Sequence, residues 1–161
     1  MKLKLLSALL LSSLSTVAFA DMKPHVYIGA EVGSADPDVD GADAETSMSL
    51  IGGYYFTDTF SAELGYIDFG GDADATTFSI RGKGSYYFTE AFSIYGRAGI
   101  GFGSVEGLDG SESNTDLTFG FGASVRVAEK ANLTAGYDTY SLGDDISVDV
   151  NVISIGAIFH F

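Results

Sequence analysis

A short acidic segment has the residue types and the spacing of a calcium-binding loop. Residues Asp36–Gly41 read DPDVDG and match the pattern D-x-D-x-D-G, in which alternating carboxylates before a glycine turn surround a hard cation with oxygen ligands. The second half of the pattern is missing, because Ser47 stands where a bidentate glutamate is required. Specific Ca²⁺ binding and loose association of divalent cations are therefore two alternatives for this segment. The candidate ligands are Asp36, Asp38 and Asp40.

The remaining polar residues do not form a recognisable catalytic set. His160 has no serine or aspartate positioned beside it in the sequence. The glycine run Gly99–Gly103 lacks the strand–turn–helix context that a dinucleotide-binding loop needs. We therefore expect no enzymatic activity and no cofactor, apart from divalent cations held loosely at the acidic segments.

The composition indicates one domain and excludes several functions. The chain has 161 residues, with 22 acidic and 8 basic residues and no cysteine. Such an excess of acidic residues repels phosphates, so we expect no binding of nucleic acid. The absence of cysteine excludes a disulfide scaffold and a cysteine-ligated metal. Hydrophobic residues nevertheless make up 46% of the chain, so the apolar and the acidic residues must be segregated.

Residues 1–20 have the features of a secretory signal peptide. Two lysines precede the apolar stretch Leu5–Leu14, and Ala18–Ala20 forms an A-x-A cleavage site. The apolar stretch is too short to span a membrane as a helix. We expect cleavage before Asp21, which leaves residues 21–161 as the mature domain.

The mature chain has the alternating pattern of β-strands almost throughout. Apolar and polar residues alternate with a period of two, and helical periodicity is nearly absent. The predicted strands are Val26–Gly33, Thr46–Phe56, Phe60–Phe69, Ala75–Phe88, Phe92–Val105, Thr115–Ala128, Leu133–Leu142 and Val148–Phe161.

One face of each predicted strand is apolar, and the other is small and polar. In the sixth strand, Leu117, Phe119 and Phe121 alternate with Thr118 and Gly120. A soluble sandwich would carry many lysines and glutamates on its polar face, whereas a face of glycine, serine and threonine fits the narrow interior of a small barrel. The apolar face would then contact lipid. We therefore predict an all-β fold, an eight-stranded antiparallel up-and-down transmembrane β-barrel, with a soluble protein of β-hairpins as the alternative.

The predicted connections alternate in length. They are short after the second, fourth and sixth strands, as in Thr57–Thr59 and Thr89–Ala91, and usually longer after the others, as in Ser34–Glu45 and Glu106–Asn114. Transmembrane barrels have short periplasmic turns and longer extracellular loops. The pattern therefore predicts that both termini are periplasmic and that the longer loops are extracellular.

Several segments resemble the OmpA-like family of eight-stranded outer-membrane barrels. Ser61–Tyr66, SAELGY, and Leu133–Asp138, LTAGYD, each follow a short turn. Apolar residues alternate up to the end of the chain at Phe159 and Phe161, which resembles the signature that outer-membrane proteins present to the barrel-assembly machinery. The resemblance implies a barrel in the outer membrane of a Gram-negative bacterium, in contact with lipid and lipopolysaccharide. We expect a monomer, without the periplasmic peptidoglycan-binding domain of full-length members.

The inward faces of the predicted strands carry a cluster of charges. Buried charges are costly unless they are paired, so we expect a salt-bridged plug in the lumen. In the resembled family, an interior glutamate at the position of Glu63 pairs with arginine and can gate a narrow pore. The cluster therefore either fills the lumen or gates ions. Its predicted members are Glu31, Glu63, Arg81, Lys83, Arg97, Arg126 and Asp138.

The other acidic residues are concentrated in the longer connections. Fifteen of the 22 lie in or beside these connections, with no lysine or arginine among them. Such a rim attracts cations and basic partners; the alternative is a solvated surface that resists aggregation. The fifteen are Asp36, Asp38, Asp40, Asp43, Glu45, Asp68, Asp72, Asp74, Glu106, Asp109, Glu112, Asp116, Asp144, Asp145 and Asp149.

These observations favour a non-enzymatic outer-membrane barrel with a structural or adhesin-like role, exerted through acidic extracellular loops. The alternative is a small pore of low conductance, gated by Glu63 and the interior arginines. A lumen of eight strands is about filled by its own side chains, which favours the first hypothesis.

Overall fold

The computed structural model describes residues 24–38, 43–70, 75–107, 110–142 and 148–161. The predicted signal peptide lies outside these residues. The described residues form eight strands and no helix, and none of them belongs to a helix that could cross a membrane. The strands are β1 (His25–Pro37), β2 (Glu45–Tyr55), β3 (Phe60–Asp68), β4 (Ala75–Tyr87), β5 (Phe92–Gly107), β6 (Gly110–Ala128), β7 (Ala131–Leu142) and β8 (Val148–His160).

The strands form a closed antiparallel barrel. Each strand pairs with the next one along the chain, and β1 pairs with β8 to close the ring. The predicted fold class is therefore confirmed. One end of the barrel, here called the turn end, carries the connections β2–β3, β4–β5 and β6–β7 together with Pro24 and Phe161. The opposite end, the loop end, carries the other four connections.

The barrel is turned inside out relative to a soluble protein. In β6, Phe119 and Phe121 are 55% and 65% exposed, whereas Thr118, which precedes Phe119, is fully buried. The same alternation puts large apolar side chains on the outer surface of every strand. A continuous apolar outer surface is stable in lipid, where a closed barrel also leaves no backbone group without a partner.

Three predicted boundaries are wrong at the loop end. β1 continues past Gly33 to Pro37, and β5 and β6 remain paired up to Gly107 and Gly110. The predicted nine-residue loop Glu106–Asn114 is therefore mostly a continuation of the hairpin. Its backbone groups satisfy one another across the ladder, and this pairing does not require the apolar alternation from which the strands were predicted.

The lumen is layered along the barrel axis. Near the loop end lies a cluster of buried apolar side chains, here called the apolar layer. Below it lie the charged residues, and then a group of tyrosines and two histidines towards the turn end. The apolar layer consists of Ala35, Ile67, Phe69, Tyr140, Val150 and Val152.

Candidate functional site

Six charged residues meet at the middle of the lumen. Their strands place them at inward positions, where each has a glycine or a serine two positions away that leaves room for a long side chain. The register brings Glu63 directly opposite Arg81, and Lys83 directly opposite Arg97. The members of this charge network are Glu31, Glu63, Arg81, Lys83, Arg97 and Asp138.

Glu63 is the centre of one half of the network. Lys83 Nζ donates a hydrogen bond to Glu63 Oε1 at 2.8 Å, and the Tyr27 hydroxyl donates to the same oxygen at 2.7 Å. The other oxygen, Oε2, faces Arg81 Nη2 at 3.5 Å and Arg97 Nη1 at 3.7 Å. Three cations thus surround one carboxylate that is only 1% exposed, which keeps Glu63 ionised although it is buried.

Arg97 joins the other half. Its Nε donates to Asp138 Oδ1 at 2.7 Å, and its Nη2 also contacts Asp138 Oδ2. The same Nη2 reaches Glu31 Oε2 at 3.1 Å. Gly120 opposes both Arg97 and Asp138 in the register, and a Cβ atom at Gly120 would overlap the Asp138 carboxylate. The guanidinium can therefore lie against the wall of the barrel because this position has no side chain.

The network is electrically neutral, with three cations and three anions. Arg126, which the alternation of β6 predicted to be a seventh member, lies outside it. The Arg126 side chain is exposed at the turn end, where β6 has a register irregularity between Arg126 and Ala128. Arg126 pairs with Asn132 before the irregularity. It is six residues along β6 from Gly120, which is opposite Arg97, so it lies about 20 Å along the strand from the network.

Tyrosines support the network, and sequence reasoning did not select them. Lys83 Nζ lies 4.6 Å from the ring centroid of Tyr27, 5.3 Å from that of Tyr95 and 5.5 Å from that of Tyr55, within the range of cation–π attraction. Arg81 Nη1 donates to the Tyr140 hydroxyl at 3.3 Å, which ties the network to the apolar layer. The available signal was the position of these tyrosines among the glycines and serines of the inward faces.

The apolar layer closes the lumen a second time. Phe69 and Tyr140 meet edge to face, with ring centroids 5.3 Å apart, and Val150 and Val152 complete the contact from β8. A charged plug beneath an apolar plug, inside a closed ring of eight strands with an apolar exterior, is an arrangement suited to a membrane rather than to water.

Comparison with known families agrees with this arrangement. The model of the outer membrane protein beta-barrel domain matches residues 6–161. The chain belongs to this family. The resemblance to outer-membrane barrels is thereby confirmed, and the protein is an integral protein of the outer membrane.

Solved outer-membrane barrels share its fold. The N-terminal barrel of OprF from Pseudomonas aeruginosa superimposes with a TM-score of 0.67 at 15% identity, over 86% of this chain and 100% of that one. Neisserial surface protein A gives 0.61 at 20% identity, over 86% and 97%. Ail of Yersinia pestis gives 0.57 at 22% identity, over 86% and 97%. At these identities the similarity concerns the fold alone. No curated protein sequence matches the chain.

The candidate calcium ligands of this outer-membrane barrel are not all in a loop. Asp36 lies within β1 opposite Asn151, and Asp38 follows the strand, with its backbone N donating to Asp149 O at 2.9 Å. Both side chains are exposed, and Asp40 lies outside the described residues. Among the described residues, no group of three or more histidines and carboxylates is arranged to hold a metal ion. Calcium binding stays a prediction.

The C-terminal phenylalanines face outward. Phe159 is 53% exposed and Phe161 69% exposed, on the outer surface of the last strand. They stand next to the first strand, because the Phe161 backbone N donates to Val26 O at 3.0 Å. Recognition of these residues by the assembly machinery stays a prediction.

The turn end contains a cavity of about 220 Å³, here called the turn-end cavity. His25 and His160, the only histidines of the chain, meet at its wall, with His25 Nε2 and His160 Nδ1 3.0 Å apart. Sequence reasoning missed this pair, because the two residues are 135 positions apart and only closure of the barrel brings them together. The cavity is lined by His25, Tyr87, Arg126, Glu129, Lys130, Asn132, His160 and Phe161.

Proposed function

We propose that this protein is a closed, non-enzymatic anchor in the outer membrane that presents an acidic surface to the exterior of the cell. The observation that carries the proposal is the double closure of the lumen by the charge network and the apolar layer. Glu63 and Asp138 are only 1% and 2% exposed, and they form ion pairs with Lys83 and Arg97. Carboxylates in such pairs are not available to bind or activate a substrate.

The proposed orientation follows from the two ends of the barrel. Short turns at the turn end match the periplasmic side of outer-membrane barrels, and the loop end would then be extracellular. β5 and β6 have 16 and 19 residues and are longer than the other strands, so their hairpin would extend this end beyond the membrane. The acidic residues of the sequence are concentrated in the connections at the same end.

The charge of the loop end indicates the class of partner. Ail of Yersinia pestis, a structural neighbour, was solved in complex with the heparin analogue sucrose octasulfate, which is a polyanion. The longer connections of the present chain contain no lysine or arginine, so they would repel such a ligand. We therefore propose a cationic partner, such as a basic protein segment or divalent ions that bridge to another anionic surface.

A small pore is the second candidate, and one observation favours it. Glu63 Oε2 accepts no hydrogen bond within the described residues and is held only by the two longer ion pairs to Arg81 and Arg97. This half of the carboxylate is the loosest part of the network. The apolar layer argues against a gate at Glu63 alone, since Phe69 and Tyr140 would also have to separate before water could pass.

Planar-bilayer recordings of the refolded protein test the two candidates. We expect no discrete openings from the wild type, from Glu63→Gln or from Phe69→Ala, because each variant retains one of the two closures. Glu63→Gln combined with Lys83→Gln keeps the interior neutral and controls for the imbalance of charge in the single variant. Discrete openings of the wild type that change in Glu63→Gln would overturn the anchor and establish the pore.

A further inference from the structure

The two histidines form a pair across the seam of the barrel. His25 begins β1 and His160 ends β8, and the register that closes the ring places His160 opposite Tyr27. Their facing nitrogens, His25 Nε2 and His160 Nδ1, are 3.0 Å apart, and the ring centroids are 5.2 Å apart. One imidazole therefore donates a hydrogen bond to the other, which requires the acceptor nitrogen to be free of a proton.

We propose that this pair is a binding site for one divalent transition-metal ion of the Cu²⁺ or Ni²⁺ type. Neutral imidazole nitrogens are good ligands for these ions. With metal–nitrogen bonds of about 2.0–2.1 Å, nitrogens 3.0 Å apart subtend an angle of about 95° at the metal. This angle is close to the right angle between neighbouring ligands of tetragonal Cu²⁺ and Ni²⁺. A tetrahedral Zn²⁺ site would need the nitrogens about 3.3 Å apart.

The turn-end cavity supplies the remaining ligands. Its volume of about 220 Å³ holds several water molecules, each of which occupies about 30 Å³ in the liquid. Glu129 and Asn132 line the same cavity, but among the described residues no carboxylate completes a group of three ligands with the two histidines, so the remaining ligands would be water molecules. Two imidazoles with oxygen ligands from water match the mixed nitrogen and oxygen set of a tetragonal site.

Both rings are held in place before any ion binds. His25 stacks on Tyr55, with ring centroids 4.9 Å apart and an interplanar angle of 19°. The backbone N of His160 donates to Lys130 O at 2.9 Å, which fixes the end of β8. Ligands that are already oriented lose little conformational freedom on binding.

Nearby positive charges oppose binding of a cation, so the effect of removing one of them on the affinity tests the proposal. Arg126 and Lys130 line the turn-end cavity together with Glu129, and both side chains are exposed. Solvent and salt screen exposed charges, so Arg126 and Lys130 weaken binding of the metal ion without abolishing it. Removal of one cation by Lys130→Gln should therefore tighten binding of the metal, whereas it would weaken a site for an anion.

The experiment is a calorimetric titration of the refolded barrel, without a polyhistidine tag, with Cu²⁺ and with Ni²⁺. We expect one ion per chain, with affinity at least about tenfold weaker in His25→Gln and in His160→Gln, since even the loss of a group that only supports a ligand costs about that much. The Cu²⁺ electron paramagnetic resonance spectrum of the wild type should show hyperfine coupling to two nitrogens. Binding should also raise the urea concentration at which the barrel unfolds, because the unfolded chain separates the two histidines.

Several results would overturn the site. Absence of saturable binding would do so, as would equal affinity in both histidine variants, which would assign the ion to the acidic loops. Loss in one variant only would refute the bidentate pair. Where a histidine variant does not refold, the spectrum of the wild type decides, since a signal without two coupled nitrogens contradicts the proposal.

Discussion

At the scale of single residues, the interior is an arrangement in which every charge depends on partners from other strands. Arg97 of β5 contacts Glu31 of β1 and Asp138 of β7, and Glu63 of β3 is shared by Arg81, Lys83 and Arg97. Removal of any one acid leaves a buried cation without full compensation. The network therefore specifies how the strands face one another as well as filling the lumen.

Asp138→Asn should lower the free energy of unfolding by about 3–5 kcal/mol, because it breaks a buried ion pair and leaves Arg97 partly uncompensated. The measurement is urea unfolding of the refolded barrel, monitored by the difference in gel mobility between unheated and boiled samples. Glu90→Gln, at an exposed turn position, is the control and should change stability by less than about 0.5 kcal/mol. Equal effects of the two substitutions would contradict the structural importance of the network.

Gly120→Ala should destabilise the barrel by about 1–3 kcal/mol, because the added methyl group overlaps the Asp138 carboxylate that Arg97 holds in place. Gly52→Ala is the matched substitution, since a Cβ atom there meets nothing within 4 Å. The same urea titration compares the two. If both variants unfold at the concentration of the wild type, the carboxylate is free to move and the packing described for Gly120 is wrong.

At the scale of the strands and turns, residues 54–61, YYFTDTFS, recur as residues 86–93, YYFTEAFS, and the two copies form turns of the same geometry. In the first, Phe56 N donates to Phe60 O at 3.0 Å, and Thr57 Oγ1 accepts from Phe60 N at 3.0 Å. In the second, Phe88 N donates to Phe92 O at 3.0 Å, and Thr89 Oγ1 accepts from Phe92 N at 3.0 Å. The threonine hydroxyl thus satisfies backbone groups that the ladder leaves over.

Thr57→Ala and Thr89→Ala should each lower the free energy of unfolding by about 1 kcal/mol. The two losses should be similar, because each threonine hydroxyl accepts from the backbone N of the residues two and three positions later. The urea midpoint of each variant measures the loss. Thr→Ser at either position keeps the hydroxyl and should stay close to the wild type. An alanine variant as stable as its serine counterpart would show that the turn does not depend on this hydroxyl.

The alternation of residues predicted the faces of the strands well, and their partners poorly. Alternation places Glu63 and Arg97 on the inward face whichever strands they meet, since a face depends only on a period of two. The pairing of Arg97 with Asp138 requires the register, which long-range closure determines. Arg126 follows the same alternation but lies outside the network, because alternation indicates a face and not the position along the barrel axis. The histidine pair depends on the register between β1 and β8 alone, so the local spacing of residues in the sequence does not indicate it.

At the scale of the whole molecule, charge is distributed unequally along the barrel axis. The interior network is neutral, and the acidic residues of the sequence are concentrated in the connections of the loop end. The opposite end carries both signs, because Arg126 and Lys130 lie there together with Asp58, Glu90 and Glu129. Attraction of a basic partner should therefore occur at the loop end.

Polylysine should bind the refolded wild type in detergent micelles, and binding should fall as salt is raised, because exposed charges are screened beyond about 8 Å at physiological ionic strength. Replacement of Asp38, Asp40, Asp144 and Asp145 by asparagine should weaken this binding, because four of the fifteen carboxylates at the loop end lose their charge. Glu90→Gln and Glu129→Gln at the turn end form the control. Fluorescence anisotropy of labelled polylysine is the measurement. Binding that the aspartate substitutions leave unchanged, or that does not depend on salt, would contradict the proposed acidic interaction surface.

Closure of the ring makes the start of the chain arbitrary as far as the folded barrel is concerned. β1 pairs with β2 over His25–Ala35 and with β8 over Tyr27–Pro37, so the seam is as long as a hairpin ladder. A circular permutant, joined by a short linker from Phe161 to Pro24 and reopened between Glu129 and Lys130, would keep every ladder except that one turn. We expect it to refold in micelles and to show the mobility difference of the wild type. Such a chain would carry Phe159 and Phe161 at internal positions, so its refolding would separate closure of the ring from the predicted recognition of these residues by the assembly machinery.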